Sequence, residues 1–457
     1  MGLEVVVLAA GQGTRMRSGL PKVLQPLAGR PLLAHVLDTA DALGAAGMHV
    51  VIGHGGPAVR EAFAGRQHTR WVEQASQLGT GHAVEQAMPG VPDDAVVLVL
   101  YGDVPLVETE TLGRLVERAE QGTVAVLTVD LIDPTGYGRI IRGRNGQVLR
   151  IVEEKDATEA EKAIREVNTG LMAAPAARLR PWLAALDNDN AQGEFYLTDV
   201  VALAVAEGVG VNPVAAGGPD EVLGINDRRQ LAEAESALRQ RTASALLDAG
   251  VTLVDPARVD VRGRLECGQD VHIDIGAVFE GDVSLADGVR IGPYCVVRQS
   301  SIGAGTELHP YSLVDQSVTG PDCTIGPYAR LRPGTRLAEG AKVGNFVEIK
   351  NAEIGAGSKV NHLTYVGDAS VGKDVNVGAG TITCNYDGAN KHRTVIGDGA
   401  FIGSGVELVA PVEVGSGATI GAGSTISKTA PAGQLTVERS RQITVKGWER
   451  PKKGGAK

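Results

Sequence analysis

Two groups of residues in this 457-residue chain have types and spacings that could do chemistry. The first follows an apolar run at the N-terminus: LAAGQGTRM, then Leu20, Pro21 and Lys22. Glycines directly after a strand let backbone N–H groups approach phosphate oxygens, and Arg15 and Lys22 supply cations. The run lacks the third glycine of a dinucleotide fingerprint and the GK[ST] of a P-loop. Asp103, just beyond the apolar run Val96 to Leu100, is a hard oxygen donor suited to Mg²⁺, although an aspartate there could equally cap a turn. The second group is Arg330, Arg332, Lys350, His362, Tyr365, Asn376, Asn385 and Tyr386. A lone surface histidine is usually inert. Beside cations, His362 becomes a candidate general base, because imidazole titrates near neutrality.

Different elements must position the two groups. Leu3 to Ala10, Val50 to Ile52, Val96 to Leu100 and Val124 to Val129 read as strands, with helical stretches such as Pro31 to Leu43 and Thr111 to Ala119 between them. Such alternation predicts a mostly parallel α/β sheet with ligands at the carboxyl ends of its strands. Asn226 to Ala249 reads as a connector helix, with Leu231, Leu238 and Ala245 repeating at sevens, Ala234 and Thr242 on the same face, and Gly250 as its stop.

From Val251 the period changes. Aliphatic-glycine pairs recur from Ile275-Gly276 to Ile420-Gly421, and Ile396, Ile402, Leu408, Val414 and Ile420 form an unbroken run of sixes. A hexapeptide period predicts a parallel β-helix with aliphatic residues inward, small residues at the corners and roughly ten coils. A glycine-rich sandwich would instead alternate with period two. The repeat breaks for TCNYDGANKHR, Thr383 to Arg393, which predicts an external loop. The expected boundaries are 1–226, a connector over 227–250, a β-helix over 251–441 and an arm over 442–457.

Composition narrows the function. Hydrophobic residues at 43% give ample core, and the 61 glycines, roughly twice the ~7% average, call for many tight corners. With Lys+Arg 44 against Asp+Glu 54, a nucleic-acid or anionic-membrane surface is not expected. An anionic substrate must be held by a few placed cations. Cys267, Cys295, Cys323 and Cys384 form no metal-binding spacing and read as reduced thiols, with Cys384 a bystander in the loop. The N-terminus reads as a buried strand rather than a signal peptide, and no apolar stretch reaches the ~18 residues of a membrane span. A cytoplasmic protein is expected.

The full run G-x-G-T-R-M then P-K resembles the sugar-1-phosphate nucleotidyltransferases. EQASQLGTGHA, LYGDVPL, GYGRI, IVEEKDA, NTG and GIND, joined to the hexapeptide half, resemble the bacterial bifunctional N-acetylglucosamine-1-phosphate uridyltransferase/glucosamine-1-phosphate acetyltransferase family over nearly the whole chain. Gln12 stands where relatives often carry Lys.

The resemblance implies a Rossmann-like nucleotidyltransferase domain followed by a left-handed β-helix. It implies UTP and UDP-N-acetylglucosamine contacts at Leu8, Ala9, Ala10, Gly11, Lys22, Gln74, Gly79, Thr80, Tyr101, Gly102 and Asp103. Gly138, Glu153 and Asn168 fall on the sugar, with the neighbouring Glu154 set aside by the alignment of IVEEKDA. Asn226 becomes the partner of Asp103 for Mg²⁺, although it could otherwise cap the connector helix. In the second half it implies that Arg332 and Lys350 hold the glucosamine-1-phosphate phosphate, and that Tyr365, Asn376 and Asn385 suit its sugar. Ala379, Asn385, Tyr386, Ser404, Ala422 and Arg439 match acetyl-CoA positions.

The expected activity is acetylation of glucosamine-1-phosphate by acetyl-CoA, then uridylylation by UTP to UDP-N-acetylglucosamine. Two alternatives compete: a one-site nucleotidyltransferase with a structural or regulatory β-helix, and a non-enzymatic scaffold. The Gly11, Arg15, Lys22 and Asp103 set counts against the scaffold, and His362 with Arg332 and Lys350 against the single site. A homotrimer is expected, with the loop and the tail around Lys446 and Trp448 completing a neighbour's acetyl site.

Overall fold

Nine strands make one sheet in the first part of the chain: β1 (Leu3–Ala9), β2 (Gly47–Ile52), β3 (Thr69–Glu73), β4 (Val96–Tyr101), β5 (Val124–Asp130), β6 (Gly138–Arg142), β7 (Val148–Val152), β8 (Glu166–Pro175) and β9 (Val211–Ala215). Their order is β9-β5-β8-β4-β1-β2-β3, with β6 on β8 and β7 on β6. The structure is a computed structural model that describes residues 2–451. It divides into two compact units, Met1–Leu238 and Arg239–Lys457.

Strand side chains alternate between faces, and here both faces are apolar. Val5, Val7, Leu98 and Leu100 enter one core, and Val6, Val97 and Val99 the other. Strands β1, β2, β3 and β4 run parallel, whereas β8 is antiparallel to β4 and β5. The chain leaves β1 towards β2 and β3, then returns to its other side as β4. That reversal opens a crevice at the carboxyl ends of β1 and β4.

In the second unit, eleven short strands line one face in parallel register, and seventeen more line the rest of the solenoid. Ile273, Ile291, Leu308, Ile325, Val343, Val360, Val377, Ile402 and Ile420 stack as one buried inward file. Ile275 is not among them, because the inward position of its coil is Ile273. The glycine after an inward aliphatic has a steric cause: a Cβ on Gly292 would stand 2.7 Å from the Leu308 carbonyl oxygen of the next coil.

One corner departs from the expectation of small residues. Tyr294, Tyr311, Tyr328, Phe346 and Leu363 occupy it at φ 49 to 60. A left-handed conformation costs a side-chain-bearing residue about 1–2 kcal/mol. The four rings offset part of that by stacking at 5.2, 5.1 and 5.3 Å between centroids, worth roughly 0.5–1.5 kcal/mol per pair.

The helix Arg228–Asp248 also departs from its simple heptad. Leu231 and Ala234 join an apolar cluster with Met16, Leu27 and Ile225, whereas Ala243 and Leu246 join the solenoid core. Ala245, expected on the buried face, is exposed. At 100° per residue those two pairs lie on different sides of the helix, so a single stripe of sevens could not describe it.

Candidate active sites

In the first unit the residues after β1 and β4 meet across the crevice. A cavity of about 300 Å³ is lined by Leu8, Ala9, Ala10, Gly11, Lys22, Gln74, Gly79, Thr80, Tyr101 and Asp103, together with Gln77 and Glu194. A second hollow, about 420 Å³, is lined by Gly11 through Arg15, Lys22, Gln77 and Asn226. The loop after β1 therefore faces both. Gly102 lines neither. It packs inward, where a Cβ would meet Val23 at 3.2 Å and Leu33 at 3.3 Å.

Lys22, on the turn Lys22–Leu24, donates from Nζ to an Asp103 carboxylate oxygen and, at 3.1 Å, to Asn226 Oδ1. A carboxylate and an amide oxygen thus converge on one cationic point. These hard oxygens suit Mg²⁺, which binds through one or two protein oxygens and completes its shell with water and phosphate. No group of three or more His, Cys, Asp or Glu that could hold a metal exists among the described residues.

Gln74 is buried, and its amide nitrogen donates to the Gly79 carbonyl at 3.1 Å and lies 3.0 Å from His82 Nδ1. Its donors are thus engaged within the protein, which leaves the amide oxygen as the group it can offer a ligand. Gly79 is obligatory here, with φ 112 and the Phe195 carbonyl oxygen 2.6 Å from where a Cβ would stand.

The residues expected on the sugar side gather on or next to β6 to β8. Gly138 pairs in register with Asn168, and Glu153 accepts from Thr198 Oγ1 at 2.9 Å. Burial, with the charges of Asp156 and Glu194, raises the Glu153 carboxyl despite that bond. Burial also raises the Tyr101 phenol, helped by the Glu153 and Asp103 charges.

The second group lies outside the solenoid, on two adjacent parts of its coils. Backbone bonds join one file across successive coils: Leu363 N to Asn345 O, Gly380 N to His362 O, Gly405 N to Ala379 O and Gly423 N to Ser404 O. Beyond Ser404 the file reaches Ala422, and the Arg439 side chain lies against Gly423. At the ~4.8 Å spacing of strands, His362 to Ala422 spans roughly 14 Å. His362 is exposed, and its Nδ1 is 2.9 Å from Asn345 Oδ1. Asn376 lies on the same face, one coil beyond Lys359.

Arg332 pairs with Glu348 at 2.8 Å, and Lys350 with Asp368 at 3.2 Å. Tyr365 stacks in register on Glu348. Lys391, from the inserted loop, lies against Lys350, whose ammonium lowers the Lys391 pKa. Asn385 is buried beside Asp368, and Tyr386 is exposed at the base of the loop, bridged to Lys391. Arg439 and Trp448 are exposed, and residues 452–457 of the expected arm lie outside the described residues. All four cysteines are free, and burial pushes the thiols of Cys267 and Cys295 up to about 11.

Comparison with known proteins fits both halves. A profile described as a MobA-like NTP transferase domain matches residues 5–253, more than half of the chain. One described as bacterial transferase hexapeptide (six repeats) matches residues 393–428. The Bifunctional protein GlmU of Azoarcus sp. (strain BH72) is 60% identical over 451 residues, 99% of this chain and 100% of that protein. This chain belongs to the bifunctional GlmU family. The Alkalilimnicola ehrlichii member is 60% identical over 449 residues, covering 98% and 96%. A solved nucleotidyl transferase from Methanothermobacter thermautotroptrophicus covers 53% of this chain and 99% of its own at 24% identity and TM-score 0.39, too distant to bear on the assignment. As a GlmU, the chain carries two activities, UDP-N-acetylglucosamine diphosphorylase and glucosamine-1-phosphate acetyltransferase.

Sequence reasoning missed several residues that the structure brings to these candidate sites. Gln77 faces both cavities and donates to the Ala10 carbonyl. It lies inside the quoted EQASQLGTGHA, but nothing in its spacing marks it. Asn345, Asp368 and Glu348 partner His362, Lys350 and Arg332. A search at the coil length would have found two of them, since Asn345 and His362 stand 17 apart, as do Asn351 and Asp368.

Proposed function

We propose that the crevice of the first unit performs uridylyl transfer and the outer surface of the second performs acetyl transfer. The observation that carries this reading is the meeting of Lys22, Asp103 and Asn226 at the strand ends, alongside a separate His362 site. In the first site the Gln74 amide oxygen accepts the N3–H of uracil, and the backbone after β1 with Arg15 and Lys22 holds the triphosphate. Asp103 and Asn226 would hold Mg²⁺, which supplies charge neutralisation between the two polyanions. A phosphate oxygen of N-acetylglucosamine-1-phosphate then bonds to the α-phosphorus of UTP, and the bond to pyrophosphate breaks in line. The nucleophile is already an anion, so no general base is needed. Glu153 and Asn168 take the sugar hydroxyls, and Gly138 lets the backbone approach.

In the second site Arg332 and Lys350 bind the phosphate of glucosamine-1-phosphate, and Tyr365 and Asn376 its sugar. His362 takes a proton from the amine as its nitrogen bonds to the acetyl carbon. The carbon–sulfur bond breaks, and the proton passes on to the CoA thiolate. Asn345 holds the imidazole, and the file Ala379, Ser404, Ala422 gives acetyl-CoA a smooth track, with Asn385, Tyr386 and Arg439 at its edges. UTP and acetyl-CoA are cytoplasmic compounds, and four free thiols fit that compartment, where we place the enzyme. We assign the domains as 1–226, 227–250 and 251–441 with an arm to 457, and the assembly as a homotrimer.

The test is to assay pyrophosphate release and CoA release on one preparation. Asp103→Ala should abolish the first and spare the second, and His362→Ala the reverse. Loss of both together in a protein still folded by circular dichroism would contradict two independent sites.

A further inference from the structure

A second corner of the solenoid carries Gln299, Gln316, Asn351 and Asp368, at φ 40, 44, 46 and 46. Here side chains bond along the prism. Asn351 Nδ2 donates to Asp368 Oδ1 at 2.6 Å, and Asn385 Nδ2, one coil further on, donates to Asp368 Oδ2. Lys350 Nζ donates to the same Oδ2 at 3.2 Å. Asp368 is 8% exposed and Asn385 9%. Burial alone would raise the Asp368 carboxyl, but the bonds from Asn351, Asn385 and Lys350 outweigh it and hold it below the usual carboxylate range.

We propose that Asp368 is a positioning residue of the acetyltransferase site, fixing the Lys350 ammonium for the phosphate of the acceptor and the Asn385 amide beside it for acetyl-CoA. The proposal rests on the reading of Lys350 and Asn385 as substrate contacts. Lysine is a point charge on a flexible stem, so its direction depends on what anchors it. The Lys350 ammonium lowers the pKa of the neighbouring Lys391 and keeps its own charge, and Asp368 supplies the negative charge beside both. Asn351 holds one carboxylate oxygen, while Lys350 and Asn385 meet on the other, so Asp368 sets a cation and an amide in fixed relation.

The competing explanation is that Asp368 serves only the left-handed backbone. Asn also tolerates that conformation. Asp368→Asn therefore keeps the backbone and removes the charge and the second acceptor oxygen. The measurement is steady-state acetyl transfer with glucosamine-1-phosphate varied, for Asp368→Asn, Lys350→Ala and the double variant, with pyrophosphate release as the folding control.

Loss of a charged hydrogen bond should raise KM for glucosamine-1-phosphate about tenfold. Lys350→Ala should raise the same KM, and the double variant little further than Lys350→Ala alone. A purely structural role would lower the active fraction, and so kcat, without moving KM. If Lys350→Ala raises KM and Asp368→Asn does not, the positioning role is overturned. If neither raises it, the reading of Lys350 falls and the proposal falls with it. Should Asp368→Asn fail to fold, Asn351→Ala removes one of the same anchors. A smaller rise in that KM supports the proposal, and an unchanged KM overturns it.

Discussion

The two sites of this protein are built on opposite principles of shape. In the first unit the reversal of strand order around β1 makes a concave crevice, and the cavities of about 300 and 420 Å³ come with it. The second unit turns its chemistry outward: His362 and Tyr386 are exposed, and the track proposed for acetyl-CoA lies along the outside of the coils. A solenoid core is filled by its own inward aliphatics, so function can only be placed on its surface. Ligand sites normally bury most of their ligand. Under the homotrimer proposed above, the contrast predicts that the first site works within one chain and that the second needs its neighbour.

Three experiments can break or sharpen that contrast. The largest effect is expected from His362→Ala, which should cost ~10²–10⁴-fold in acetyl transfer and nothing in uridylyl transfer. A variant with wild-type acetylation across neutral pH would remove His362 from the chemistry. Partial recovery is expected when His362→Ala and Tyr386→Ala chains, each impaired alone, are refolded together. If the loop of one chain completes the site of the next, some mixed trimers contain an intact site and CoA release returns in part. Mixtures that recover nothing would confine both residues to one chain's site.

The smallest effect concerns stability near the first site. Asp199 is pushed up to about 6, first by burial and then by the charges of Asp187, Glu153 and Asp156. An acid raised in the folded state leaves stability intact below its ordinary value near 4 and removes it as pH rises through 6. At pH 7 the carboxylate is therefore a penalty of about 1 kcal/mol, after allowing for solvent screening of a half-buried group. Asp199→Asn should raise the melting temperature by about 2–4 °C at pH 7, with the gain vanishing towards pH 4. An equal gain at both pH values would remove the charge explanation.

Much of this was legible in sequence, for physical reasons that also mark where legibility stops. Gly11 and Asp103 follow apolar runs, and strand ends in a parallel sheet are where ligands go. Ile396, Ile402, Leu408, Val414 and Ile420 are all buried, because the six-residue period records which side chain points inward. It records nothing about contacts between coils, which link residues 17 or 18 apart. The Tyr294 to Phe346 ring stack and the Asp368 anchor both live at that longer spacing. Ala245 was misjudged because one helix supplies two clusters from different sides. The donor commitment of Gln74 depends on His82 and Gly79 closing on it, a tertiary fact.

The most direct test of a self-contained first site and a shared second one is dilution. Both activities are measured per chain while sedimentation follows the same samples from assembled trimer to monomer. Pyrophosphate release per chain should stay constant, and CoA release per chain should fall in step with the trimer. A monomer that keeps full acetyltransferase activity would contradict the account.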